Sequence, residues 1–147
     1  MGKLKPILLA EDNPNDVELA LEALRQHNIA NRILVVSDGA EVLDYLYRRG
    51  KYSQREKENP ACILLDLKMP KVDGLEVLKI IKNDSELKTI PVVMLTSSKE
   101  EKDIVDSYNL GVNAYVVKPV GFEKFIEAIS NLGYFWAILN EPPLERE

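Results

Sequence analysis

The chain has 147 residues, of which 46% are hydrophobic and 29% charged, and its net charge is −5 at pH 7. This size fits one domain with an apolar core, and the composition excludes disordered and collagen-like chains. No apolar run approaches the roughly 20 residues of a membrane helix. The apolar run after the basic start is too short for a secretory signal, so we expect a cytoplasmic protein.

The charged and reactive residues exclude several function classes. An acidic chain without a basic stripe is a poor candidate for nucleic-acid binding, and the densest basic stretch, at 48–57, predicts a solvated loop. Cys62 lies inside an apolar run with no metal-ligand neighbour, which favours a small buried side chain. His27 stands alone after a helical segment, so neither zinc binding nor histidine phosphotransfer is indicated.

Short apolar runs alternate with amphipathic segments along the chain. Five runs predict strands, at residues 6–10, 33–36, 63–65, 91–95 and 114–117. Five segments predict helices, at residues 15–26, 39–49, 74–83, 100–110 and 122–140. Strands that are apolar throughout indicate a parallel sheet covered on both faces, so we predict a doubly wound α/β domain. In such folds the active crevice lies at the carboxyl ends of the strands.

The candidate functional side chains follow the first, third, fourth and fifth predicted strands. Glu11 and Asp12 follow the first strand, Asp66 the third, Thr96 the fourth and Lys118 the fifth. Because parallel strands end at one edge of the sheet, we expect these side chains to share one cleft. Three carboxylates need a compensating charge, so we predict Mg²⁺ held by Asp12 and Asp66, with Glu11 bound through water. Such a set provides the charge neutralisation that phosphoryl transfer requires.

Each of these residues also has a simpler interpretation. Asp12 or Asn13 could cap the next helix, Lys118 could be a surface residue, and Thr96 could be a loop hydroxyl. The shared cleft is favoured because the simpler interpretations would have to hold at four strand ends together.

Four motifs around these residues resemble the response-regulator receiver family of two-component signalling. They are Leu-Ala-Glu-Asp-Asn-Pro at 9–14, Leu-Leu-Asp-Leu-Lys-Met-Pro-Lys-Val-Asp-Gly at 64–74, Met-Leu-Thr-Ser-Ser at 94–98 and Tyr-Val-Val-Lys-Pro at 115–119. The resemblance spans nearly the whole chain, so we expect a single receiver domain over residues 1–147 with an extended C-terminal helix and tail. It implies a flavodoxin-like fold, with five parallel strands in the order 2-1-3-4-5 and helices on both faces.

The resemblance also implies a role for each residue of the cleft. Asp66 would be the phosphorylation site, beside a metal-binding cluster, a phosphate partner and two switch residues. The implied roles are Mg²⁺ or Mn²⁺ binding for Glu11, Asp12, Asp66 and the backbone carbonyl of Lys68, phosphate binding for Lys118, and switching for Thr96 and Tyr115.

The family further implies partners and a mode of output. A sensor histidine kinase would supply the phosphoryl group, and no enzymatic activity beyond self-catalysed phosphoryl transfer and dephosphorylation is implied. The fourth helix, fifth strand and fifth helix would transmit the change to another protein, or the chain would be an intermediate in a multistep phosphorelay. The long segment at 50–60, the stretch at 107–115 and the aromatic run at 134–136 are similar to receivers that partner phytochrome-type kinases. Widely spread apolar residues at 122–139 predict a homodimer through the C-terminal half.

Other protein classes fit the same residues less well. A flavin-binding electron carrier needs a phosphate-cradling loop after the first strand, where Glu11 and Asp12 would repel the phosphate. An aspartyl phosphatase needs a second aspartate two residues after its nucleophile, and Lys68 occupies that position. A pseudo-receiver that only binds would have lost Asp66 or Lys118, and both are present.

Overall fold

The structure, a computed structural model, describes residues 5–26, 31–96 and 100–118. The strands are β1 (Ile7–Ala10), β2 (Ile33–Val36), β3 (Cys62–Leu65), β4 (Val92–Thr96) and β5 (Ala114–Val117). The helices are α1 (Pro14–Gln26), α2 (Gly39–Tyr47), α3 (Gly74–Lys82) and α4 (Glu101–Asn109), with a 3₁₀ turn at Gly50–Tyr52. Among these described helices, none combines the length and apolar content needed to cross a bilayer. The predicted last helix and His27 lie outside the described residues.

All five strands lie parallel in one sheet, in the order β2-β1-β3-β4-β5. Central strand β1 pairs with β2 on one side and β3 on the other, so Ala10 lies between Val36 and Leu65. The strand order reverses between β1 and β3, because β2 lies on one side of β1 and the later strands lie on the other. In open parallel sheets, a crevice forms at the carboxyl ends of the two strands at such a reversal. The flavodoxin-like fold expected from the sequence is confirmed.

Successive residues of a strand point to opposite sides of the sheet, and strands β1, β3 and β4 are buried on both sides, whereas Val35 of edge strand β2 is 43% exposed. On one face, Leu8 and Ile63 belong to a core cluster with residues of α2 and α3. On the other face, Ile7 and Leu64 belong to a cluster with residues of α1. This two-sided burial explains why the strands are apolar throughout. Cys62 joins the second cluster, buried as predicted, and burial raises the pKa of its thiol.

The end of α2 differs from the sequence prediction. The helix begins at a cap in which Asp38 Oδ1 accepts a hydrogen bond of 2.8 Å from the backbone N–H of Glu41. It ends at Tyr47, two residues before the predicted end at residue 49, because Arg48 adopts the left-handed conformation with φ of 56°. The other predicted bounds within the described residues agree to within one residue.

The connection at 50–60 is tied to α2 by Arg55, whereas the other four basic residues of the stretch at 48–57 are exposed, as expected for a solvated loop. The guanidinium lies over the ring of Tyr45, with Cζ 4.0 Å from the ring centroid. Its N–H groups donate to the backbone carbonyl oxygens of Tyr45, Glu56 and Glu58 at distances from 2.7 to 3.0 Å. Tyr52 packs edge-on against Tyr45, with ring centroids 5.2 Å apart. Arg55 therefore acts as an internal cation that organises the turn.

Arg55→Ala should destabilise the protein, because it removes the stacked cation and the guanidinium hydrogen bonds to three backbone carbonyl groups. We expect the free energy of unfolding, measured by urea denaturation, to fall by about 1–3 kcal/mol. Lys57→Ala is the matched control, since the ion pair of Lys57 with Glu86 is long at 3.8 Å and exposed. A loss for Arg55→Ala no larger than that for Lys57→Ala would contradict the organising role.

Candidate functional site

Three carboxylates meet at the carboxyl ends of the central strands β1 and β3. Glu11 and Asp12 follow β1, and Asp66 follows β3, whose last residue Leu65 pairs with Ala10. A backbone hydrogen bond of 3.0 Å from Asp66 N to Ala10 O extends this pairing by one residue. One oxygen from each of the three carboxylates lies within 4.8 Å of the others. Glu11 and Asp66 are buried, whereas Asp12 is exposed.

This arrangement fits a divalent cation of the magnesium type. All three donors are carboxylate oxygens, and the exposed Asp12 leaves a side open for the water ligands that Mg²⁺ retains. Three like charges at this separation also require a compensating positive charge. The backbone N–H of Lys68 donates to Asp66 Oδ1 at 3.4 Å. The role predicted for the carbonyl oxygen of Lys68, as a metal ligand, stays a prediction.

Lys118 brings a cation into the same cleft from the end of β5. Its Nζ donates hydrogen bonds to Glu11 Oε1 and Asp16 Oδ2, both at 2.7 Å. The same Nζ lies 3.6 Å from Asp66 Oδ2, and the lysine side chain is only 9% exposed. Groups that are distant along the chain therefore converge, as the positions of the strand ends predict. We call Glu11, Asp12, Asp16, Asp66 and Lys118 together the acidic cleft.

Asp16 belongs to the acidic cleft although it follows no strand. It lies in the first turn of α1, where Asn13 Oδ1 accepts hydrogen bonds from the N–H groups of Asn15 and Asp16 at 2.8 and 3.2 Å. Reasoning from strand ends alone missed this residue. Its position four residues after Asp12, on a helix that starts at the same edge of the sheet, is the feature that could have revealed it.

Burial and hydrogen bonding shift the pKa values of two groups in the cleft. Burial raises the pKa of the Glu11 carboxyl above its ordinary value, against the opposing hydrogen bonds from Lys118 and the backbone N–H of Asn13. Burial lowers the pKa of the Lys118 ammonium, but the hydrogen bonds to Asp16 and Glu11 and the charge of Asp66 outweigh it. The pKa of Lys118 is therefore raised, and this residue remains a cation at neutral pH.

Gly74 lets α3 begin directly against the backbone of Asp66. The N–H of Gly74 donates to Leu67 O at 2.7 Å. A Cβ atom at Gly74 would collide with the carbonyl oxygen of Asp66 and lie 2.7 Å from Leu67 Cα. The helix is capped by Asp73, whose Oδ1 accepts from the N–H of Glu76 at 3.0 Å. The turn after Asp66 is thus fixed by close backbone contact, which only glycine permits at this position.

Thr96 and Tyr115 lie on the strands between the acid cluster and Lys118. Thr96 is the last residue of β4 and pairs with Val117, so its backbone lies at the same edge of the sheet as the cleft. Tyr115 pairs with Met94 and packs, half-buried, against the core on the α2 and α3 side. The structure gives the strand positions of both residues, and their role as switch residues stays a prediction.

The sequence matches the family described as response regulator receiver domain over residues 7–130. A curated relative, response regulator Rcp1 of Synechocystis sp., is 39% identical over 132 residues, which cover 90% of this chain and 88% of Rcp1.

Solved structures show the same likeness. The bacteriophytochrome response regulator RtBRR is 61% identical, with a TM-score of 0.86 over 96% of this chain and 85% of that one. The Mn²⁺-bound form of Rcp1 is 37% identical, with a TM-score of 0.77 over 97% and 99% of the two chains. The phosphorylated cyanobacterial phytochrome response regulator RcpA is 41% identical, with a TM-score of 0.77 over 91% and 94%. The chain belongs to the response regulator receiver family of two-component signalling proteins.

Proposed function

We propose that this chain is a stand-alone response regulator in which Asp66 accepts a phosphoryl group from a sensor histidine kinase with the help of Mg²⁺. The observation that carries the proposal is the approach of Lys118 Nζ to within 3.6 Å of Asp66 Oδ2, beside the carboxylates of Glu11 and Asp12. The manganese-bound Rcp1 and the phosphorylated RcpA support it as similar proteins. Their match over 99% and 94% of their own lengths supports the stand-alone organisation.

Asp66 is the nucleophile of the proposed reaction. One of its carboxylate oxygens attacks the phosphorus atom, and a new oxygen–phosphorus bond forms an acyl phosphate. The bond from phosphorus to the donor atom breaks at the same time, and its electron pair stays with the donor. That donor atom is the ring nitrogen of a phosphohistidine or the oxygen of a small acyl phosphate. Because Asp66 is only 5% exposed, approach by bulk water is restricted.

Charge neutralisation is the main contribution of the remaining cleft residues. A divalent cation, for which Glu11, Asp12, Asp66 and the carbonyl of Lys68 are the proposed ligands, supplies positive charge to the phosphoryl oxygens. Lys118 supplies a further positive charge that is buried and already aimed into the cleft. This ammonium binds a phosphoryl oxygen once the group is attached.

Thr96 and Tyr115 are the proposed switch residues. In the proposed switch, Thr96 moves toward the phosphoryl group and its hydroxyl donates a hydrogen bond to a phosphoryl oxygen. Tyr115 then turns inward into the space that Thr96 has left. The strands of these two residues are paired, with Thr96 beside Val117 and Tyr115 beside Met94. A displacement of β4 would therefore also displace β5. The output surface is formed by α4, β5 and the predicted last helix. New charge-assisted bonds bias this two-state equilibrium.

The central proposal predicts that incubation with acetyl phosphate and Mg²⁺ adds one phosphoryl group to the wild-type protein. Asp66→Asn should gain none, because the amide oxygen is a poor nucleophile. Asp44→Asn is the matched control, since the side chain of Asp44 on α2 is 46% exposed and pairs with Arg49 outside the acidic cleft. Intact-mass spectrometry provides the measurement. A phosphorylated Asp66→Asn protein, or an unmodified wild type, would contradict the proposal.

The proposed metal ligands predict that Asp12→Asn weakens Mg²⁺ binding by at least about tenfold, because one anionic oxygen ligand is lost. Isothermal titration calorimetry gives the dissociation constant. Asp12 is exposed, so the variant should fold normally, and thermal unfolding checks this. Asp44→Asn again serves as the control for loss of one negative charge. An unchanged dissociation constant for Asp12→Asn would remove Asp12 from the set of ligands.

We also infer a kinase of the phytochrome type and a homodimer formed through the C-terminal half. The 61% identity to the bacteriophytochrome response regulator RtBRR supports the first inference. The second rests on the sequence, since the residues concerned lie outside the described ones. Light scattering at micromolar concentration should give a mass near twice 16.7 kDa. A monomer mass, both with and without beryllofluoride as a phosphoryl analogue, would exclude the dimer.

A further inference from the structure

The Lys118 ammonium does not form its closest contacts with the proposed phosphorylation site. Two of its hydrogen bonds, both 2.7 Å long, go to Glu11 and Asp16, whereas Asp66 Oδ2 lies 3.6 Å away. The last distance is too long for a hydrogen bond, although it allows Coulombic attraction. The cation is therefore held on the α1 side of the cleft, near Asp66 but not bound to it.

We propose that Asp16 is a positioning residue that holds the Lys118 ammonium back from Asp66 until a phosphoryl group competes for it. The inference rests on the proposed function and adds a residue to it. Asp16 suits this task because its backbone is fixed at the start of α1, where the Asn13 side chain accepts a hydrogen bond from its N–H. Its carboxylate is thereby held beside Lys118.

Differences in burial decide which hydrogen bond the ammonium gives up. The side chain of Glu11 is 2% exposed and that of Asp16 is 26% exposed. A carboxylate that loses its partner in a buried position keeps an uncompensated charge, which is costly. A carboxylate near the surface regains water instead. When a phosphoryl group on Asp66 attracts Lys118, the contact with Asp16 therefore breaks first, while the contact with Glu11 persists.

Asp16 also competes with the phosphoryl group for the same cation. An attached phosphoryl group adds negative charge beside Asp66, and Lys118 is the cation that the described part of the chain places there. Every hydrogen bond that Lys118 keeps with Asp16 reduces its interaction with this group. A simpler interpretation is that Asp16 merely stabilises the positive end of the α1 dipole. In that case its removal would loosen the helix and strengthen no interaction in the cleft.

For Asp16→Asn, the two interpretations predict effects of opposite sign on beryllofluoride binding. With Asp16 neutral, Lys118 moves toward Asp66, so beryllofluoride at saturating Mg²⁺ should bind about three- to tenfold more tightly than to wild type. The same shift opposes a cation at Asp66, so Mg²⁺ alone should bind more weakly. If the substitution only loosened α1, both beryllofluoride and Mg²⁺ would bind more weakly than to wild type. Both affinities are measured by isothermal titration calorimetry, after circular dichroism has shown that the variant is folded.

Glu18→Gln is the matched control, because it removes one negative charge from an exposed position on the same helix. Neither affinity of this variant should change by more than about twofold, as expected for a screened surface charge. Beryllofluoride binding to Asp16→Asn that equals or falls below that to wild type would overturn the positioning role and leave the proposed function intact. If the wild type binds no beryllofluoride in the presence of Mg²⁺, the proposed function fails and the role of Asp16 fails with it.

Discussion

The hydrogen bonds of one ammonium group hold the functional end of this molecule together. Lys118 at the edge strand β5 reaches Glu11 after central strand β1 and Asp16 at the start of α1. Buried charge is tolerated in proteins when it is paired, and Glu11 is 3% exposed. This cation therefore links the β5 end and the α1 start to the β1 end, whose own position is fixed by pairing with β2 and β3.

The acidic cleft has one side fixed by packing and another set by charge. Backbone pairing between β1 and β3 and the contact of Gly74 with the backbone of Asp66 leave little freedom on the first side. On the second side, Asp16 and Lys118 are held by an ion pair whose strength depends on the other charges present. This combination suits the proposed function, in which packing would keep Asp66 in place while Lys118 would change partner when a phosphoryl group is added.

Much of this architecture could be predicted from the sequence because parallel strands impose strong constraints. Apolar runs buried on both faces located all five strands, and their common edge brought Glu11, Asp66 and Lys118 together. Two other features of the structure, the end of α2 and the place of Asp16 in the cleft, could not be predicted from the spacing of apolar residues. Arg48 ends α2 through a left-handed backbone that its residue type does not suggest, and Asp16 contributes from a helix start, which an inspection of strand ends excludes.

The internal cation of the 50–60 connection, Arg55, stabilises a part of the molecule that lies apart from the acidic cleft. Arg55 draws its carbonyl partners from the connection itself and from Tyr45, so the folding of this turn uses none of the carboxylates of the acidic cleft. Lys51 and Lys57, with side chains 72% and 69% exposed, stand on its outer surface. Because Arg55 holds the turn without using any residue of the cleft, substitution of these exposed lysines should leave the geometry of the acidic cleft unchanged.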